Sequence, residues 1–252
     1  METHRISLNP TLICRWLAIM AFFLVLASIG GQAIKYITGH GSLHGLIPLF
    51  YVDYEENFPT LFSVFLLLFS SFLLFLIVVL KKKESDSKIF FWVILFIGFI
   101  YLAIDEAWQI HEYLIVPVRN FFGTGDNGIF MVAWVIPGAA MVILLLILFW
   151  KFLIKLPKKT RNSFILAGAV YISGTLIVES ISGYYLSHAG LTYLTQDFKY
   201  SMIVSLEESL EMGGAILFIR ALLIYIADTY NEIHFRIQRV AIEETGGKTS
   251  DA

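Results

Sequence analysis

The sequence lacks most of the features by which an enzyme is recognised from its residues alone. A single cysteine, Cys14, excludes an internal disulfide and any cysteine-rich metal or redox site. There is no zincin motif, no set of histidine boxes, no Cys-x-x-Cys pair, no phosphate-binding loop and no Gly-x-Ser-x-Gly elbow. Charged residues make up only 15% of the chain, and nothing in the sequence indicates a nucleic-acid partner. Any active site must therefore be built from residues outside these motifs.

Hydrophobic residues, by contrast, make up 58% of the chain, and the mean hydropathy is +0.75. This composition is typical of an integral membrane protein. Strand-like alternation is absent, so the sequence predicts an all-α bundle of six transmembrane helices. The predicted helices, each about 20 residues or longer, span residues 13–36, 59–80, 88–114, 129–153, 162–186 and 200–227.

Basic residues are concentrated in the second and fourth predicted loops and in the C-terminal tail, which places these segments in the cytoplasm. Both termini are then cytoplasmic, and the acidic first, third and fifth loops face outward. We expect a bacterial inner (plasma) membrane protein with these acidic loops toward the periplasm. Residues 1–245 are predicted to form one polytopic domain, with an amphipathic cytoplasmic helix at 228–243 and a flexible tail at 246–252.

Two acidic stretches lie inside segments that are otherwise apolar enough to cross a bilayer. The first is Asp105-Glu106-Ala-Trp-Gln-Ile-His111-Glu112, and the second is Glu207-Glu208-Ser-Leu-Glu211-Met-Gly-Gly. An acidic side chain at the centre of a membrane helix costs about 2.5–3.5 kcal/mol on insertion scales. Retaining this many acids at such a cost indicates a functional site.

The depths of these acids agree with one another. Asp105, Glu179 and Glu207 each lie six to eight residues from the outer end of a predicted helix, at a depth of about 9–12 Å. Three helices thus bring carboxylates to one level, which predicts a shared site. Gly213 and Gly214 would let another helix backbone approach the second acidic stretch at that level.

Helical spacing predicts which side chains share a face. If the third helix continues beyond Asp105, then Gln109 and Glu112 lie on the same face as that residue. Trp108 and Trp134 are interpreted as packing or lipid-facing residues.

The cluster has too few cations nearby to neutralise it, since Lys35, Arg119 and Lys199 are near the interface and free to reach water. A bound metal ion, shared protons or a water-filled cavity remain as ways to compensate the charge. We expect a divalent metal site containing iron, manganese or zinc, because helical bundles hold such ions with carboxylates and histidine. The predicted metal ligands are Asp105, His111, Glu112, Glu208 and Glu211. The candidate acid–base or ligand-orienting residues are Glu106, Glu179 and Glu207.

Three motifs resemble a widespread group of bacterial polytopic membrane proteins without an assigned activity. They are Glu55-Glu56-Asn57-Phe-Pro59-Thr60 and the two acidic stretches above. The resemblance covers the second to sixth predicted helices. It implies no substrate and no cofactor.

The leading hypothesis is a metal-dependent membrane enzyme with a site in the outer half of the bilayer. Its expected substrate is lipid-like, because entry from the bilayer is the simplest route to that depth. A cation- or proton-coupled transport protein and an accessory subunit with a structural carboxylate network are the alternatives. The inner halves of the second, third and fourth helices are almost entirely apolar, which favours a one-sided site over a transport path. The sequence predicts membrane lipid as a partner and indicates no oligomeric state.

Overall fold

The computed structural model describes residues 9–83, 88–193 and 195–230, and these residues form helices without any strand. The α-helices are α1 (Pro10–Thr38), α2 (Leu46–Phe50), α3 (Phe58–Lys83), α4 (Ile89–Trp108), α5 (Ile115–Phe122), α6 (Val135–Lys155), α7 (Lys158–Ile172), α8 (Glu179–Ala189) and α9 (Phe198–Thr229). Two short 3₁₀ helices, Ile110–Leu114 and Gly128–Val132, precede α5 and α6. A π-helical turn, Ser173–Val178, joins α7 to α8 without a break.

Six helical segments within the described residues are long and apolar enough to cross a membrane, which confirms the predicted all-α, six-span architecture. They are α1, α3, α4, α6, the continuous α7–α8 segment and α9. The connections 39–57, 109–134 and 190–197 gather at one end of the bundle, which we call the loop end. Hydrogen bonds tie this end together, including one from the Tyr36 hydroxyl to the Gln196 carbonyl (2.8 Å) and one from the Gly128 N–H to Ser187 Oγ (2.7 Å).

Local sequence signals set the ends of several helices. Asn9 caps α1 by accepting the N–H groups of Thr11 and Leu12, and Gly39 ends α1 in the left-handed conformation. Asn57 stabilises the start of α3 because its Oδ1 accepts the Thr60 N–H at 3.1 Å. The Asn57 amide also donates to the Tyr51 and Tyr54 carbonyls at 2.7 Å. Asn57 of the Glu-x-Asn-x-Pro-Thr motif therefore joins the preceding turn to the first turn of α3.

The central helix is α9, which packs directly against α1, α3 and α7. At the end opposite the loop end, its apolar residues join a closed aromatic cluster with α4, α6 and α7. Trp92 contacts Phe152 and Tyr225 with ring centroids 5.2 and 4.9 Å apart, and Phe164 contacts Phe218 at 4.9 Å. This aromatic cluster fills the half of the bundle farther from the loop end.

The third predicted helix was wrong in its outer part, because α4 ends at Trp108 and not at residue 114. Gln109 adopts the left-handed conformation (φ 46°, ψ 46°), and the chain continues as a 3₁₀ helix. The helix ends because the Asp105 carboxylate takes the His111 N–H, which a continuing α-helix would bond to a backbone carbonyl. The angular positions predicted for Gln109 and Glu112 are therefore also wrong.

Two other spans differ by a few residues from their predicted bounds. The fourth span begins at Val135 instead of 129 because Gly128–Val132 is a 3₁₀ helix. The fifth span is longer than predicted and runs from Lys158 to Ala189. Of the predicted amphipathic helix at 228–243, the structure describes only the first three residues, and Asp228 there pairs with Lys159 at 3.0 Å. The remainder of that helix and the tail at 246–252 lie outside the described residues.

Candidate functional site

A hydrogen-bonded pair of Asp105 and His111 lies where α4 ends. Asp105 Oδ1 accepts the His111 backbone N–H at 2.8 Å, and Oδ2 lies 2.8 Å from His111 Nδ1. Nδ1 is the ring nitrogen that faces the carboxylate, which leaves Nε2 as the nitrogen that Asp105 does not contact. The two side chains are 15% and 23% exposed, so the pair is accessible but largely shielded.

Trp134 and Glu179 complete this first group of residues. The Trp134 ring lies against the His111 ring, with centroids 4.2 Å apart. Its Nε1–H donates to Glu179 Oε1 at 2.5 Å. We call Asp105, His111, Trp134 and Glu179 the dyad group.

Close packing holds the dyad group in place. A Cβ atom at Gly183 of α8 would lie only 2.8 Å from Val132, and one at Gly138 of α6 only 2.9 Å from the Trp134 ring. Both contacts are shorter than normal van der Waals distances, so α8 packs on Val132, and the Trp134 ring packs on the first turn of α6, only because these two residues lack side chains. The position of Trp134 is therefore determined by packing as well as by its hydrogen bond.

The surroundings of His111 favour its charged form. Burial alone would lower the pKa of His111, but the hydrogen bond to Asp105 and the negative charges of Asp105, Glu179 and Glu112 raise it above its ordinary value of 6.5. Glu112 lies nearby at the loop end, where partial burial raises the pKa of its carboxyl and His111 opposes the shift. The dyad group is thus an electrostatically negative site around one histidine.

A second group of polar residues surrounds a small cavity deeper in the bundle. Four helices contribute one residue each: Ser63 from α3, Glu106 from α4, Tyr171 from α7 and Glu211 from α9. We call these four residues the cavity group. The space open to the centre of a water-sized sphere is about 10 Å³, and Leu66, Leu67, Met212 and Ala215 close the remaining walls.

Glycines bring the helices around the cavity group close together. A Cβ atom at Gly214 of α9 would lie 2.6 Å from the Tyr171 backbone nitrogen, and one at Gly174 would lie 2.8 Å from the Glu207 carbonyl oxygen. The predicted close approach at the Gly213-Gly214 pair is therefore confirmed for Gly214, whereas a Cβ atom at Gly213 meets nothing within 4 Å. The sequence prediction did not include Gly174.

The remaining acids connect the two groups. Glu207 is the most deeply buried of them, at 9% exposure, and its Oε2 has no hydrogen-bond partner among the described residues. Glu207 interacts electrostatically with Glu179 and Glu211, and Glu208 with Glu106 and Glu211. Glu207 thus lies near members of both groups, and Glu208 lies near the cavity group.

No basic side chain in the described part of the chain compensates these acids directly. The strongest electrostatic neighbours of these buried and partly buried glutamates are other acids and His111. Arg119 donates instead to the Phe130 and Met131 carbonyls, at 2.6 and 2.8 Å. Lys199 lies over the Tyr185 ring, 4.6 Å from its centroid.

One further acid lies at the loop end, outside both groups. Asp53 accepts hydrogen bonds from Gln196 at 2.8 Å and from the Tyr200 hydroxyl at 3.3 Å. Burial raises the pKa of Asp53 to about 6, although these hydrogen bonds oppose the shift. This residue ties the first loop to the start of α9.

Residues 12–226 match the family model described as "Domain of unknown function (DUF8692)". The chain belongs to this family. No curated protein and no solved structure matches it significantly. The match spans all six membrane helices, so both residue groups lie within the DUF8692 domain.

The structure of the DUF8692 domain divides the five predicted metal ligands. Asp105, His111 and Glu112 lie at the end of α4, whereas Glu208 and Glu211 lie on α9. Within the described ranges, no set of three or more histidine, cysteine or acidic side chains is arranged to hold a metal ion.

Several residues of the DUF8692 site were missed from the sequence. Trp134 is buried, at 7% exposure, and is a hydrogen-bond donor as well as a packing residue. Ser63 and Tyr171 belong to no recognisable motif. Trp108 is 66% exposed, as expected for a lipid-facing residue.

Proposed function

We propose that the DUF8692 domain is a membrane-embedded enzyme that performs acid–base chemistry on a lipid-like substrate. The observation that carries the proposal is the pairing of Asp105 with His111 through both carboxylate oxygens. Such a pair orients the imidazole, selects its tautomer and stabilises the imidazolium that forms when Nε2 takes a proton. Glu179, held by Trp134 beside the same ring, adds to that stabilisation.

The surface around the dyad supports a lipid-like substrate. The segment that carries His111 also bears large exposed side chains, namely Trp108 (66% exposed), Tyr113 (76%) and Leu114 (44%). Tryptophan and tyrosine side chains such as Trp108 and Tyr113 favour the membrane interface, where a lipid presents its polar head. A substrate with a polar head and an apolar tail would reach His111 while its tail stays in the bilayer.

In a second form of the same proposal, the enzyme uses a divalent metal ion. Histidines that bind metal commonly donate their other ring N–H to a carboxylate, as His111 does to Asp105. In this form, His111 Nε2 is the nitrogen ligand and Glu112 the neighbouring acid, with zinc, iron or manganese as candidates. Metal analysis of the wild type and of a His111→Ala variant separates this form from catalysis by the dyad alone.

The half of the bundle that the aromatic cluster fills supports an enzyme in preference to a transport protein. A transport path would need polar groups continuing beyond the cavity group, but the aromatic cluster around Trp92 and Phe218 lies there instead. In the proposed orientation, the loop end faces the periplasm of a bacterial plasma membrane, because the basic loops lie at the opposite end.

The test uses purified protein incubated in detergent with a bacterial polar lipid extract, followed by mass spectrometry of all lipid species. We expect a time-dependent change with the wild type, and its loss with His111→Ala and Asp105→Asn. His188→Ala is the matched control, because His188 is another loop-end histidine but packs on Tyr184, outside the dyad group. An unchanged lipid profile with the wild type, or full activity of His111→Ala, would contradict the proposal.

A further inference from the structure

The cavity group has the chemistry of a cation site. Its two carboxylates, from Glu106 and Glu211, and its two hydroxyl-bearing residues, Ser63 and Tyr171, come from four different helices and face one small space. The volume of about 10 Å³ accommodates a single particle of the size of a water molecule.

Ser63 provides independent evidence that this space holds a ligand. It is buried, at 7% exposure, and its Oγ makes no close hydrogen bond in the described part of the chain, with the Glu106 carboxyl as its polar neighbour. Other buried helical serines of this protein donate to the carbonyl four residues earlier, as Ser70 does to Leu66 and Ser205 to Ser201. Ser63 makes no such hydrogen bond to the carbonyl four residues earlier, so its hydroxyl oxygen is free to act as a ligand within the cavity.

The surrounding charges favour a positive ligand. The strongest electrostatic neighbours of Glu106 and Glu211 include Asp105 and Glu179, and His111 is the only basic side chain that acts on Glu106 among them. No lysine or arginine of the described residues is among these neighbours. Buried carboxylates without a basic partner are stabilised by a cation or by protons.

The donor atoms and the size of the cavity decide which cation fits. All the available donors are oxygen atoms, since the other lining residues are apolar or Met212, so a hard cation is favoured. Magnesium keeps several of its waters when bound, and a space for one water-sized particle cannot hold them. Calcium takes 6–8 oxygen ligands, and the four side chains offer six oxygen atoms in all, so calcium would need every one of them.

We propose that the cavity group binds one dehydrated sodium ion between α3, α4, α7 and α9. Ser63 and Tyr171 supply neutral oxygens, and Glu106 and Glu211 supply the negative charge. The ion joins these four helices and reduces the repulsion among the neighbouring glutamates. This site is separate from the proposed chemistry at His111 and does not depend on it.

The experiment measures thermal unfolding of the detergent-purified protein in sodium chloride and in choline chloride at equal ionic strength. We expect the melting temperature to rise with sodium concentration and to saturate, because an ion that binds only the folded state stabilises it. Ser63→Ala should raise the half-saturating sodium concentration by about tenfold or more. Ser70→Ala, in the same helix but outside the cavity, should leave it unchanged.

A direct binding measurement on the wild-type protein tests the proposal even if the Ser63→Ala variant does not fold. We expect the wild-type protein to bind radioactive sodium at one ion per chain, and excess potassium to compete poorly because carboxylate oxygens attract the smaller cation more strongly at its shorter contact distance. Equal melting temperatures in sodium and choline, no bound sodium, or an unaltered sodium response of Ser63→Ala would each overturn the proposal. Each readout is independent of the lipid assay, so this proposal and the enzymatic one fail separately.

Discussion

The rings of His111 and Trp134 lie 4.2 Å apart, although the two residues come from opposite sides of the long connection between α4 and α6. Trp134 also donates its indole N–H to Glu179 on α8. This one residue therefore links the end of α4 to the fifth membrane span. The dyad group depends on the contact as much as on the pairing of His111 with Asp105.

The indole N–H of Trp134 is the simplest part of this arrangement to remove. Trp134→Phe keeps an aromatic ring but leaves Glu179 Oε1 without its donor, so we expect a loss of about 1–3 kcal/mol in unfolding free energy. Trp108→Phe is the control, with an expected change within about 0.5 kcal/mol because Trp108 is 66% exposed. Denaturant unfolding in detergent measures both, and equal effects would contradict the structural role of Trp134.

The pairing of His111 with Asp105 predicts how stability depends on pH. Because the pKa of His111 is raised above 6.5 in the folded protein, the stabilisation from its charged form is complete below pH 6.5. It is lost as the pH rises through the folded pKa. The stability difference between the wild type and Asp105→Asn should therefore shrink on going from pH 6 to pH 9, as followed by thermal unfolding. A difference that grows over this range would exclude a charged His111 as the partner of Asp105.

The same shift predicts the pH dependence of catalysis. His111 acts as a base only when neutral, so activity should rise with pH through a pKa above 6.5. Asp105→Asn should move this rise to lower pH and reduce the maximum rate by about 10²–10⁴-fold. The pH profile of the lipid conversion measures both effects, and a profile unchanged in position would show that another group is the base.

Two adjacent glycines offer a matched test of helix packing. Gly214→Ala would place a Cβ atom 2.6 Å from the Tyr171 backbone nitrogen, so we expect destabilisation of about 1–3 kcal/mol or more. Gly213→Ala meets nothing within 4 Å, and its effect should be neutral or stabilising by up to about 1 kcal/mol. Thermal unfolding of the two variants compares them directly. The reverse order would mean that α7 and α9 do not approach each other at Gly214.

The orientation of the bundle predicts a difference in labelling. After replacement of Cys14 by serine, a cysteine at Asp197 should react with an impermeant reagent applied to intact cells, and a cysteine at Lys82 should not. The physical reason is that basic loops remain in the cytoplasm. Reaction at Lys82 would place the loop end, and with it the dyad group, on the cytoplasmic side.

Hydropathy was sufficient to predict the six spans, because each is a long apolar stretch whose backbone must bond internally in lipid. It did not predict the end of α4, because the apolar pattern continues past Gln109. The helix ends there through one side-chain interaction, in which Asp105 takes the His111 N–H. Hydrophobic periodicity carries no information on whether a side chain competes with the backbone for an N–H group in this way.

The candidate site was predictable in its acids and not in their partners. Carboxylates in an apolar stretch are a strong signal because their insertion is costly. A tryptophan, a serine or a tyrosine in such a stretch is not costly and gives no signal. Trp134, Ser63 and Tyr171 acquire their roles from residues far away in the sequence, and only the packed helices bring them together.

The π-helical turn Ser173–Val178 changes the phase of the fifth membrane span. Tyr171 and Glu179 are eight residues apart, so a regular α-helix, advancing about 100° per residue, would separate them by about 80° around its axis. The wide turn absorbs one residue, which reduces the angle between them to about 20°. One continuous helix therefore presents Tyr171 to the cavity and Glu179 to Trp134 from nearly the same side.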